Sequence, residues 1–281
     1  MASYNQPNLS QAQKAKDKVM FKQENFICED LASSVADLLA VDPSEFEREY
    51  SNTILDELSN GFGKRSLNVF AGPSGSGKSG TLLNLAYNFA ESHDKVCYIS
   101  FENDYNIDAE RLQEMQKIYD KKVEFAYFNY LELELSNYDV SKKRLHDMFG
   151  RYKYVFLDAY QNVYDTDNDD GASLHKSGNQ LMKDLAKIAH ESDVIFFLTW
   201  QMAKGAKAKS KEEQSEEDMS FSMGITRYAS TIWIIDQRKC KDSEDLNWTI
   251  KLEKSRYKGK IGKIRKIYDK DLKCLYLSLW G

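Results

Sequence analysis

The residues best suited to chemistry stand in one run, Gly72-Pro73-Ser74-Gly75-Ser76-Gly77-Lys78-Ser79. Its three glycines permit backbone angles that turn successive N–H groups inward around a string of phosphates. Lys78 stands at the spacing that reaches β- and γ-phosphates, and the Ser79 hydroxyl is spaced to ligate Mg²⁺. The chemistry implied is binding and cleavage of a nucleoside triphosphate, with ATP and Mg²⁺ as the expected cofactors. Such a loop works only between a strand that delivers the chain and a helix whose positive dipole end faces the phosphates. The apolar run 67–71 and a helical run over 78–91 supply both. A Gly-rich turn without a ligand is the plain alternative, and this strand–loop–helix context weighs against it.

Two carboxylates complete the expected site. Tyr154-Val155-Phe156-Leu157-Asp158 reads as an apolar strand ending in an acid, which places Asp158 where it can hold the metal or its waters. Ser100-Phe101-Glu102 ends the strand after the phosphate-loop helix, where Glu102 can orient or deprotonate an attacking water. Taken alone, Glu102 could equally be a solvated loop residue.

The elements that must position these groups form an alternating series. Strands are expected at 67–71, 96–101, 125–129, 154–158 and 194–199, with helices at 78–91, 108–118, 141–149 and 174–190. Strands separated by helices imply βαβ units and a mainly parallel sheet. Beyond residue 199 comes a long polar loop, 201–220, basic and then acidic. Four further strands, 231–236, 248–253, 264–268 and 273–277, read as largely antiparallel. The fold class is therefore α/β, with a mainly parallel central sheet and an antiparallel C-terminal edge. Residues 1–60 are expected to be a helical extension or linker, amphipathic around 26–39, and residues 61–281 the ATPase domain.

Composition excludes several classes. Of the 281 residues 42% are hydrophobic and 30% charged, which argues against a disordered chain. No apolar run is long enough to span a bilayer, and the polar first residues carry no signal-peptide core. Cys28, Cys97, Cys240 and Cys274 lack metal or redox spacing, so the expected compartment is reducing and cytoplasmic; Cys97 and Cys274 read as small buried hydrophobes. A net charge of −5 rules out general polyanion binding, so contact with nucleic acid needs a local basic patch. Lys204-Gly205-Ala206-Lys207-Ala208-Lys209-Ser210-Lys211 is such a patch, able to grip phosphates without reading sequence. It has no aromatic residue to stack on bases, and Glu212, Glu213, Glu216, Glu217 and Asp218 follow it directly.

The order phosphate loop, Ser-x-Glu, Asp-x-Tyr-Gln, strand-ending Gln, then Lys-x-Arg resembles the RecA-type motor domain of DnaB-family replicative helicases. The tracts 96–102 and 254–257 are most similar to the T-even phage members. The likeness runs over residues 66–278. It implies that Glu102 is the catalytic glutamate, that Arg111 matches an arginine on the next helix, and that Asp158 with Tyr160 and Gln161 forms the Walker B segment. Gln201 would sense the γ-phosphate and report it to the DNA loops. Lys254 and Arg256 would enter a neighbouring subunit's ATP site, supplying cations to the transition state in trans. Lys204, Lys207 and Lys209 would face single-stranded DNA in the channel of a homo-oligomeric, hexameric ring. Primase or other replication proteins are further partners the resemblance implies, in a bacterial or phage-infected cell. Only about sixty residues precede the motor region, fewer than the family's collar domain uses. A linker helix within 10–40 that docks on the adjacent subunit is expected instead. The loop 165–171 is acidic where the family often places DNA-facing residues, and reads as a solvated turn. Two other classes share this core. RadA-like or recombinase-type ATPases form filaments on DNA or process branched DNA, and KaiC-like or loader-type ATPases use ATP to switch protein partners.

Overall fold

The computed structural model describes residues 47–129, 147–159, 171–202, 223–239, 246–257 and 259–268, all within one unit, Phe46–Gly281. The amphipathic stretch at 26–39, Tyr160 and Gln161, the acidic loop, the lysine-rich loop with Lys204, Lys207 and Lys209, and the last expected strand lie outside the described residues.

The strands are β1 (Arg48–Glu49), β2 (Phe62–Gly63), β3 (Leu67–Gly72), β4 (Val96–Ser100), β5 (Ala126–Asn129), β6 (Tyr154–Asp158), β7 (Ile195–Gln201), β8 (Thr231–Lys239), β9 (Leu246–Ser255) and β10 (Gly262–Tyr268). The helices are α1 (Asp56–Ser59), α2 (Lys78–Ser92), α3 (Tyr105–Tyr119), α4 (Gly171–Glu191) and α5 (Met223–Tyr228). Strands β3 to β10 form one sheet in the order β10-β9-β8-β3-β7-β6-β4-β5. Pairing is parallel from β8 through to β5 and antiparallel from β8 out to β10. A mainly parallel sheet with an antiparallel edge is what the alternating pattern predicts.

Strands covered on both faces must be apolar at every position, and β4 and β6 are buried throughout. Their side chains still alternate. Val155 and Leu157 join the core layer that holds Leu181 and Leu185 of α4, whereas Tyr154 and Phe156 join the layer that holds Leu82, Leu85 and Phe89 of α2. Phe156 and Phe197 stack with ring centroids 4.6 Å apart in that second layer. Cys97 is fully buried in the first, and burial pushes its thiol far above the ordinary cysteine value, so it packs as a hydrophobe. Among the described residues no helix is long and apolar enough to cross a membrane.

Several element boundaries differ from expectation for local reasons. Helix α3 starts at Tyr105, three residues early, because the Asp104 side chain caps it by accepting from the Asn106 N–H at 2.8 Å. Strands β8 and β9 run well past their apolar cores, since antiparallel hydrogen bonding continues from Asp236↔Thr249 out to Lys239↔Leu246. Residues 47–60 carry Ile54 and Leu55, which enter the α2-side core beside Phe62. Asp56 ties this segment down by accepting from the Ser51 hydroxyl at 3.0 Å.

The topology collects the chemistry at one edge. The chain leaves β3, passes to β4 and β5 at one end of the sheet, returns through β6 and β7, then crosses β3 to β8. Register sets Gly72 beside Gln201 and Ser100 beside Asp158, so the carboxyl ends of β3, β7, β6 and β4 open into one crevice.

Candidate functional site

The crevice is lined by Ser74, Gly75, Gly77, Lys78, Ser79, Glu102, Asn103, Arg111, Thr199 and Gln201. The structure thus brings together most of the residues expected from sequence, contributed by four neighbouring strand ends. Two glycines in the phosphate loop are dictated by geometry. A side chain at Gly72 would fall 2.4 Å from the Ile235 carbonyl oxygen, so β3 and β8 can approach only at a glycine. Gly77 caps α2 at φ 86°, a left-handed conformation that lets the loop enter the helix with its amides facing the crevice. The buried Ser76 hydroxyl has no hydrogen-bond partner among the described residues.

Lys78 donates to the Pro73 carbonyl at 2.9 Å and so lies folded along its own loop. Burial pulls its ammonium below the ordinary lysine value, while the charges of Glu102 and Asp158 oppose that fall. Asp158 is fully buried at the end of β6. Its Oδ1 accepts from Ser79 Oγ at 3.1 Å and from Thr199 Oγ1 at 2.9 Å, and its Oδ2 accepts from Asn103 Nδ2 at 3.1 Å. Burial raises its pKa above the usual carboxylate value. The bonds from Thr199 and Ser79 oppose that rise, and the nearby charges of Asp108 and Glu102 add to it. The next residue, Ala159, takes φ 58°, and its N–H is held by Thr199 Oγ1 at 2.6 Å. A left-handed alanine costs of order 1–3 kcal/mol, and such strain concentrates where a site over-determines the backbone.

These groups fit Mg²⁺ and a nucleotide. Ser79 Oγ and the Asp158 carboxylate are adjacent oxygen donors of the kind Mg²⁺ selects, beside a loop shaped for anions. Bound there, the metal ion would neutralise charge on the β- and γ-phosphates. Lys78 is placed to pair with the terminal phosphate. Exposed Glu102 stands across the crevice, free of the buried network and open to water.

Sequence reasoning missed Asn103, Asp108 and Thr199. Asp108 is fully buried on α3, and its carboxylate accepts from Asn103 Nδ2 at 3.2 Å, Arg111 NH1 at 3.0 Å and Tyr127 OH at 3.0 Å. A polar residue on the inward face of α3 was the one signal available, and it marks a buried acid without saying what it holds.

Lys254 and Arg256 lie elsewhere. Register sets Lys254 beside Ile232, which lies beside Val69 near the start of β3, whereas the phosphate loop leaves the far end of that strand. Both side chains donate to last-turn carbonyls of α5, Lys254 to that of Thr226 and Arg256 to that of Arg227. The following Tyr257 packs against Gly63, with the Arg48 guanidinium 4.3 Å from its ring centroid. The basic pair is therefore braced at the opposite end of the sheet from its own chain's crevice.

Comparison with known proteins agrees with this architecture. The model of the AAA domain family matches residues 37–207, more than half of the chain. A DNA repair and recombination protein RadB from Methanobrevibacter smithii is 30% identical over 158 residues. That match covers 54% of this chain and 66% of the relative, so the chain spans just under two thirds of that protein. Among solved structures, the ATPase domain of a DnaB-like phage helicase superposes with a TM-score of 0.62 at 16% identity, over 86% of this chain and 97% of that one. A KaiC-like protein from Pyrococcus horikoshii OT3 gives 0.59 at 15% identity, over 79% and 98% respectively. The fold is a RecA-like P-loop ATPase core.

Proposed function

The chain belongs to the AAA domain family, and on that premise we propose that it is an ATP-driven motor on single-stranded DNA, working as a ring and unwinding duplex ahead of it. The observation that carries the assembly is the position of Lys254 and Arg256. A cation pair braced at the wrong end of its own sheet serves a phosphoryl transfer only in a neighbour's crevice, as an arginine finger supplied in trans does. In this proposal ATP and Mg²⁺ occupy the crevice. The phosphate loop from Gly72 to Ser79 holds the triphosphate, Asp158 and Ser79 hold the metal, and Glu102 takes the proton of the attacking water. Gln201, the exposed last residue of β7, faces the crevice and begins the connection to the lysine-rich loop. It is suited to couple the state of the γ-phosphate to Lys204, Lys207 and Lys209 on DNA. The likeness to DnaB-type helicases noted in the sequence, and the fold shared with the phage helicase's ATPase domain, support the ring.

A second reading is favoured by one observation, the 30% identity to a RadB recombination protein: a DNA-dependent ATPase that assembles as a filament. Electron microscopy with a slowly hydrolysed ATP analogue and single-stranded DNA separates the two. Closed rings support the motor, helical filaments support the second reading, and nucleotide-loaded monomers indifferent to DNA would overturn both.

A further inference from the structure

We propose that Asp108 is a positioning residue that sets two walls of the crevice at once, a role resting on the reading of that crevice as an ATP-hydrolysing site. Asp108 has no exposed surface, yet it carries a carboxylate, and burying an ion is tolerable only where its lone pairs are filled. Three donors fill them, each from a different place: Asn103 in the loop after β4, Arg111 one turn along α3, and Tyr127 on β5. Two of the three line the crevice.

The Asn103 amide nitrogen is shared between the two buried acids, 3.2 Å from Asp108 Oδ1 and 3.1 Å from Asp158 Oδ2. Asp158 Oδ1 is occupied by Ser79 and Thr199, so its other oxygen is oriented by Asn103, which is in turn oriented by Asp108. The Asn103 carbonyl accepts from Asn129 Nδ2 at 3.0 Å, and its N–H reaches Ser100 Oγ at 3.2 Å, so the loop carrying it is held at both ends. On the other side, Arg111 is only partly exposed and its guanidinium is anchored on the same Asp108 oxygen at 3.0 Å. It lines the crevice from α3, while Lys78 enters from the phosphate loop. A free arginine would sample many rotamers; one hydrogen-bonded to a buried acid presents its remaining donors along one direction. Asp108 touches neither nucleotide nor metal in this arrangement. It fixes the carboxylate assigned to the metal and the guanidinium assigned to the phosphates, and it couples them.

The test is steady-state turnover with nucleotide affinity read separately. Asp108→Asn, Arg111→Ala, their double variant and Asn103→Ala are assayed for kcat, KM for ATP, the Mg²⁺ concentration at half-maximal rate, binding of a fluorescent ATP analogue, and Tm. Asp108→Asn should lower kcat about 10- to 100-fold, the range typical of groups that orient ligands from behind, with analogue affinity within about threefold. The double variant should fall no more than about threefold below the worse single, because the two act as one unit. Asn103→Ala should raise the Mg²⁺ requirement about tenfold. A wild-type kcat in Asp108→Asn, or multiplicative losses in the double variant, overturns the proposal. If Asp108→Asn does not fold, Asn103→Ala decides: an unchanged Mg²⁺ requirement and kcat sink it. A wild-type protein that binds no nucleotide would instead fail the reading of the crevice itself, and this proposal with it.

Discussion

The two ends of the central sheet carry the same kinds of residue and hold them in opposite ways. At the carboxyl end of β3, β4, β6 and β7, cations and acids are tied mainly to each other: Ser79 and Thr199 to Asp158, Arg111 to Asp108, with Asn103 between the acids. At the other end Lys254 and Arg256 are tied to backbone carbonyls of α5. A cation on a carboxylate is neutralised within its own chain. A cation on a carbonyl is oriented but keeps its full charge to offer. The difference teaches that the first region is a self-contained site and the second is half of one, to be completed by another molecule's phosphates.

The comparison breaks most completely at Lys78. Replacing it with Ala removes the ammonium that the phosphate loop itself contributes, and ATP hydrolysis should fall to background with weakened nucleotide binding. Phosphate release and analogue titration measure the two. Turnover at the wild-type rate would remove the crevice from consideration as an ATPase site.

Arg256→Ala tests the other end. Its own crevice is untouched, so ATP binding should be nearly normal, while hydrolysis should fall by about 10³-fold or more if the guanidinium acts in trans. Glu102→Gln should also bind ATP and lose about 10²-fold in rate, because an amide cannot take the water's proton. Mixing the two dead proteins sharpens the contrast between the ends. Some interfaces would then pair an intact Glu102 crevice with an intact Arg256 donor, and activity should partly return. No return, with mixed assembly shown independently by native mass spectrometry, would mean that the basic pair does not complete a neighbour's site.

What was legible in the sequence follows from how local each signal is. The phosphate loop is contiguous, so its eight residues and their flanking strand and helix could be read directly. Asp158 and Glu102 could be placed because each ends an apolar strand, and parallel strands put their carboxyl ends on one edge. Asn103, Asp108 and Thr199 could not, because their roles depend on strand adjacency. Only the pairing of β4 with β6, and of β6 with β7, brings Asn103 and Thr199 to the two oxygens of Asp158. The position of Lys254 and Arg256 was hidden for the same reason: a basic pair in a sequence does not say which end of a sheet it occupies, and the β8–β9 register decides it. The missed start of α3 was a local signal overlooked, since Asp104 is an ordinary cap ahead of the first apolar turn.

The smallest expected effect concerns stability, and it separates a carboxylate held for function from one held for the fold. Asp158 is fully buried, and burial, with the charges of Asp108 and Glu102 adding to it, raises its folded pKa despite the opposing bonds from Thr199 and Ser79. The folded protein therefore binds this proton more tightly than the unfolded chain does. Its contribution to stability is fully present below the ordinary carboxylate pKa of about 3.9 and is lost as pH rises through the raised folded value. At neutral pH the nucleotide-free protein thus carries an ionised acid that works against folding. Asp158→Asn abolishes that titration. Its amide oxygen can still accept from Ser79 and Thr199, whereas its NH₂ would meet the Asn103 amide donor, a loss that does not vary with pH. The informative quantity is accordingly the slope. The Tm of the variant relative to wild type should climb as pH goes from about 4 towards neutrality, each kcal/mol appearing as about 2–4 °C in a domain of this size. Adding Mg²⁺ with a non-hydrolysable nucleotide should close the gap from the wild-type side, since the carboxylate then gains the cation that the crevice is built to give it. A gap that stays constant across the pH range would mean that Asp158 is held for its hydrogen bonds alone, and that the crevice does not store an unpaired charge for a metal.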